Sequence, residues 1–189
     1  MNPMKRDAMK TWFRRTLLLA PCGLLLSGCG LLPAPQADPV RHFTLSGPRD
    51  TAAVADAVSV RPVRLAGHLR SRAMAVRISE NEIVYLEDLR WAEPLDEAIT
   101  QILRNRLRQV GGGASVSVQV QRCEVDRSAG DRVLVAATYT IAPLQGEART
   151  GVFTSAPRVW QGTDHGELVG LLRDAVHEFA EAVAAEAAK

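Results

Sequence analysis

The sequence predicts a single α/β domain, three-layer-like, with a mixed, largely antiparallel sheet of about six or seven strands and two long helices in the order ββββαβββα. Three observations carry that prediction. Apolar and polar residues alternate in short runs before residue 90 and again between residues 115 and 154, the period of a half-buried strand. Two stretches, beginning near Pro94 and Asp164, instead repeat their apolar residues at helical spacing. No repeat or internal linker divides the chain after residue 40, and a body of about 150 residues can bury about 70% of its unfolded-chain surface without disulfides or a metal.

Phe43 and Leu45 alternate with His42 and Thr44, and Val58 and Val60 with Ser59 and Arg61, giving two strands on either side of an Ala/Asp-rich connection. Met74, Val76 and Ile78 give a third. Ser79-Glu80-Asn81-Glu82 turns the chain into Ile83-Val84-Tyr85-Leu86, a hairpin in which Asn81 can take a positive φ. Pro94 suits the first helical position, where a missing N–H costs nothing; Leu95, Ile99, Ile102, Leu103, Leu107 and Val110 then share one face, opposite Glu97, Gln101, Arg104 and Arg108. Gly111-Gly112-Gly113 stops this helix and is not a phosphate loop, because the glycines close a helix where such a loop would open one. Val116, Val118 and Val120 alternate cleanly, after which the apolar phase moves to Cys123 and Val125. One residue has been inserted, so a bulge or strand break is expected near Gln121-Arg122. Beyond a Ser128-Ala129-Gly130-Asp131 turn, Val133, Val135, Ala137, Tyr139 and Ile141 line the longest strand, whose other face is partly apolar through Leu134 and Ala136, as in a central strand. A weaker strand covers about residues 148–154. The last helix starts at Thr163 or Asp164, since Asp164 and Glu167 match a capping-box spacing, and Leu168, Leu171, Leu172, Ala175, Val176, Phe179 and Val183 form its apolar stripe.

Lys and Arg number 23 against 21 Asp and Glu, and the excess lies at the amino terminus, where Lys5, Arg6, Lys10, Arg14 and Arg15 face Asp7 alone. The remainder is slightly acidic, which argues against a nucleic-acid partner. Behind that basic start, residues 16–26 form an apolar core too short to span a bilayer as a helix, so residues 1–28 read as a secretion signal peptide. The signal ends Leu26-Ser27-Gly28-Cys29, which resembles the bacterial lipobox, with Cys29 as the lipidation site and first mature residue. An ordinary signal peptide with an incidental Cys is the alternative. Gly30 follows where, in well-studied Gram-negative sorting, an Asp retains a lipoprotein at the inner membrane; the resemblance therefore implies the outer membrane. Acyl chains contribute about 0.8 kcal/mol per buried methylene, enough in combination for a permanent membrane anchor. Residues 29–39, with three prolines, read as an extended lipidated tether, and residues 40–189 as the folded domain. Cys22 leaves with the signal and Cys29 carries lipid, so Cys123 is the one remaining thiol, read as a small core residue.

No pattern nominates a catalytic residue, and the chain reads as a non-enzyme. His42, His68, His165 and His177 are far apart in sequence, no zinc-protease, nucleophile-elbow or dinucleotide motif is present, and neither a metal site nor a cofactor is expected beyond the covalent lipid on Cys29. Arg104, Arg106 and Arg108 read as a solvated helix face. Arg70 and Arg72 flank a small-residue loop from which they could touch lipid headgroups, a point the sequence leaves open. The segment Arg90-Trp91-Ala92-Glu93-Pro94-Leu95 admits two readings. In the first, Glu93 sits at the positive end of a helix, Arg90 pairs with it and Trp91 covers the first turn. In the second, Arg90, Trp91 and Glu93 form a partner-docking surface with Trp91 as its aromatic anchor.

The same segment, followed by Asp96, Glu97 and Ile99, resembles the R-W-A-E-P-L signature of the ABC-type transport auxiliary lipoproteins, a PqiC-like family. Phe43-Thr44-Leu45 is similar to the family's first strand, Val60-Arg61-Pro62-Val63-Arg64-Leu65 to its second, and Leu69 with the arginine that follows it to its next loop; Asn81-Glu82-Ile83 and the Ala-rich last helix also fit. The family loop often reads L-P-x-Y-L, whereas Ala66 and His68 stand here for the Pro and the Tyr. The resemblance implies a periplasm-facing lipoprotein, held at the outer membrane, that docks an MCE-domain transporter subunit of an intermembrane lipid-transport system and can assemble into a homo-oligomeric ring. The alternative is a stand-alone periplasmic lipid-binding lipoprotein carrying an apolar ligand in its own cleft.

Overall fold

The computed structural model describes residues 39–47 and 54–189. The expected signal peptide at 1–28, the lipidation site Cys29 and all of the tether but Pro39 lie outside the described residues. In chain order the described elements are β1 (Arg41–Phe43), β2 (Ser59–Val60), β3 (Arg64–Leu65), a single 3-10 turn (Gly67–Arg70), β4 (Ala73–Ser79), β5 (Glu82–Trp91), α1 (Leu95–Leu107), β6 (Ser115–Asp126), β7 (Arg132–Ala142), β8 (Arg149–Thr154), β9 (Arg158–Val159) and α2 (His165–Ala187).

All nine strands belong to one open, mixed sheet with the path β1-β5-β4-β6-β7-β8. β6 is its spine. One side of β6 pairs antiparallel with β7 from Ser115↔Ala142 to Asp126↔Arg132. The other side takes three short parallel partners in succession: β2 at Ser115 and Val116, β3 at Gln119 and Val120, and β4 at Val125 and Asp126. The sheet therefore holds nine strands, two more than the seven of the expected order. The additional pieces, β3 and β9, are two residues each, too short to display any alternation in sequence.

The inserted residue in β6 is Gln121: the register with β7 shifts between Val120 and Arg122, which keeps Val120, Cys123 and Val125 buried on either side of the bulge. The shift also places Arg122, Glu124 and Asp126 together on the other face. Three local expectations are corrected. Asn81 does not take a positive φ; among described non-glycine residues only Asp56 and Asp131 do, Asp131 next to Gly130 in the β6–β7 turn. Pro94 has extended ψ (132°) and precedes α1 as its cap instead of opening it, and Val110 lies past the helix end, its N–H bonded to the Leu107 carbonyl. Asp164 caps α2 through the N–H of Gly166 at 2.7 Å, not through the expected exchange with Glu167, and its carbonyl takes the indole N–H of buried Trp160.

The two helices pack on each other, α1 against β2 and α2 against β7 and β8. Leu168, Leu172, Val176, Phe179 and Val183 of α2 and Ile99, Ile102, Leu103 and Leu107 of α1 join the valines of β6 and β7 in one apolar core, with Cys123 inside it.

Candidate functional site

β5 ends at Trp91, and backbone bonds fix the chain as it leaves the sheet: Trp91 N–H donates to the Arg72 carbonyl and Ala92 N–H to the Phe43 carbonyl, each at 2.8 Å. Trp91 is only 3% exposed and belongs to the core. Glu93 does not pair with Arg90. Its carboxylate accepts the backbone N–H groups of Leu45 and Ser46 at 3.1 and 3.0 Å and the Ser46 hydroxyl at 2.7–2.8 Å, tying the segment after β1 to the start of α1. Arg90 turns instead to Glu87, donating to its carbonyl at 3.2 Å and lying 3.8 Å from its carboxylate. Of the three docking candidates, Trp91 and Glu93 border one cleft, of about 570 Å3, and Arg90 lies outside it.

The facing wall of that cleft comes from β3 and the 3-10 turn. Val63 N–H donates to the Thr100 hydroxyl at 3.0 Å, which in turn donates to the Asp96 carbonyl at 2.6 Å, so the wall is pinned to the first turns of α1. Leu65, Leu69, Trp91 and Leu95 form an apolar floor. Arg64, Arg70 and Arg72 rise from it as an exposed rim.

Behind the wall lies a charged cluster. The Glu124 side chain is fully buried and receives Arg77 Nε at 2.7 Å and Arg122 Nε at 2.9 Å, with His68 Nε2 at 3.1 Å. Arg122 also reaches Asp126 at 2.5 Å. His68 thus sits in an ion-pair network, and its carbonyl accepts the Tyr85 hydroxyl at 3.1 Å; both bonds hold the 3-10 turn in place. Burial pushes the Asp126 carboxyl up, but the Ser128 hydroxyl, the Arg122 guanidinium and the Ala129 N–H together outweigh it and hold the carboxyl below the usual range. Burial, and then the charge of Glu124, push the Cys123 thiol up to about 12, which leaves it protonated and unreactive near neutrality.

The arginines of α1 are not a free cationic patch: Arg104 donates to the Val60 carbonyl at 3.3 Å, and Arg106 pairs with Glu181 of α2 at 2.7 Å. Among the described residues no three His, Cys, Asp or Glu side chains gather to hold a metal ion, and no helix is long and apolar enough to cross a membrane.

A family model described as the ABC-type transport auxiliary lipoprotein component matches residues 43–184. The chain belongs to this family. It is a family of transport components, not of enzymes. Among solved structures, this auxiliary lipoprotein is similar to the crystal structure of an uncharacterized protein, with 17% identity, a TM-score of 0.62, and coverage of 77% of this chain and 96% of the other. It is also similar to a Xanthomonas campestris protein, with 14% identity, a TM-score of 0.59, and coverage of 77% and 89%. At such identities the likeness establishes the fold alone. No curated protein matches the chain.

Sequence patterns pointed to Arg70, Arg72, Trp91 and Glu93 of the auxiliary lipoprotein's cleft, but not to Arg64 or to the Glu124 cluster. The signal available for the cluster was the charge at every second position of β6 after the bulge, a pattern that ordinarily marks a solvated face.

Proposed function

We infer that this auxiliary lipoprotein is anchored through acyl chains on Cys29 at the outer membrane, faces the periplasm, and docks an MCE-domain subunit of an intermembrane lipid-transport system. The observation that carries the docking half is the cleft at the corner formed by residues 90–95, where an apolar floor meets exposed charge. Trp91 supports that surface from beneath and Arg90 stands beside it. The same reading has copies of the chain forming a ring, for which β8, paired with β7 on one side only and with Val152 77% exposed, offers a strand edge.

The test is an affinity pull-down of the intact acylated protein from gently solubilised envelopes, with Cys29→Ala and Arg90→Glu as comparisons. Recovery of an MCE-domain protein by the native chain, its loss in Arg90→Glu and weaker recovery in Cys29→Ala support the reading. The cleft volume, within the range of small-molecule sites, favours one second reading, a stand-alone lipid carrier. Absence of any partner, with lipid retained by the purified protein in native mass spectrometry, would select it.

A further inference from the structure

We propose that the cleft beside the start of α1 is a phosphate site whose ligand is the phosphodiester headgroup of a phospholipid. Residues 57–79 contain five arginines and no carboxylate. Arg77 is neutralised by Glu124, and Arg61 lies outside the cleft; Arg64, Arg70 and Arg72 line it. Those three are exposed, and none of them has a side-chain hydrogen bond or ion pair among the described residues. Elsewhere Arg106, Arg122, Arg149 and Arg158 each have a carboxylate partner; what marks the cleft is that three guanidiniums without one line a single space.

Only two carboxylates line the same space. Glu93 is engaged by the Leu45 and Ser46 donors, which leaves Asp96 against three guanidiniums. The planar fork of a guanidinium matches phosphate oxygens in pairs, and three forks on one rim suit a tetrahedral oxyanion better than a single carboxylate. α1 adds to the positive field. Pro94 gives it no side-chain cap, and the first of its N–H groups bonded within the helix is that of Ala98, to the Pro94 carbonyl.

The floor of Leu65, Leu69, Trp91 and Leu95 lies against these cations, so the site joins an anionic rim contact to an apolar one, the pairing an amphiphile presents. A cleft of about 570 Å3 has room for a headgroup and the start of its glycerol ester. Arg70 is carried on a turn whose backbone is already held through His68 by Glu124 and Tyr85, so the turn itself needs little rearrangement on binding. This inference does not depend on the transporter partner.

The experiment titrates the full chain carrying Cys29→Ala, which removes the acyl anchor, with dihexanoylphosphatidylglycerol below its micelle concentration, read by calorimetry. Saturable one-to-one binding is expected, weakened at least about tenfold in Arg70→Ala/Arg72→Ala and in Arg64→Gln, and unchanged in Arg173→Ala on α2. All four positions are exposed, and melting curves verify folding. No saturable binding, or equal binding by the cleft variants, would overturn the site. Inorganic phosphate binding as tightly as the lipid would overturn the lipid source, and binding of a glutamate-rich peptide without binding of the lipid would assign the cleft to a protein. Loss of lipid binding with the transporter still recovered in the pull-down separates failure here from failure of the docking reading.

Discussion

Glu124 shows how a residue that looks solvated becomes the centre of the fold. It alternates with Cys123 and Val125, as an outward-facing residue should, yet its side chain is fully buried because Arg77, Arg122 and His68 close over it. Removing one member of a buried ion cluster leaves its partners without counter-charge, and Arg77 and Arg122 are themselves largely covered. Glu124→Gln should therefore cost about 3 kcal/mol in urea unfolding. Asp126, in the same cluster, gives a pH signature. Its carboxyl is held below the ordinary range, so its contribution is fully present above the unfolded value of about 3.9 and is lost as pH falls through the depressed folded value. Asp126→Asn should flatten that acid limb in melting temperature measured against pH, while leaving the slope near neutrality unchanged. The thiol of Cys123 behaves in the opposite sense. With its folded value raised to about 12, it should resist alkylation at pH 8 until the protein is unfolded by denaturant, and then react fully.

At the scale of elements, the sequence was most readable where a long period was at work. The phase shift in β6 located the bulge to Gln121-Arg122, where the structure has it at Gln121, because one residue moved from the register turns every later side chain to the other face. Both helices were recognisable from their stripes, and Asp164 was legible as the cap of α2; what spacing did not show is that Pro94 caps α1 instead of entering it and that the Asp164 carbonyl takes the Trp160 indole. β3 and β9 had no period to read. The corner of residues 90–95 was legible as unusual but not in its wiring, since Glu93 reaches across 48 positions to Leu45, a long-range partner that local pattern does not encode. Trp91 is the element-scale test. Because it is 3% exposed and sits in the core between β5 and α1, Trp91→Ala should destabilise by about 3–5 kcal/mol in chemical denaturation, whatever it does to partner recovery.

Taken as a whole, the molecule is secured unevenly. The β6–β7 pairing runs eleven residue pairs, from Ser115 to Asp126 with Gln121 bulged, between strands that neighbour in sequence, and α2 packs over it. The wall that carries Arg64 is held to β6 by ladders of two residues each, and its partners lie more than fifty positions away along the chain. Closing so long a loop is entropically costly and returns few hydrogen bonds, so this segment should dock late in folding and open first in the native state. Hydrogen exchange should show it: the amides of Arg61 and Ala66, bonded to Val116 and Val120, should exchange faster than those of β7, and the two sets should merge only near the global unfolding limit. The cleft is then a mouth with one hinged jaw, able to widen by a partial opening that leaves the β6–β7 hairpin and α2 intact.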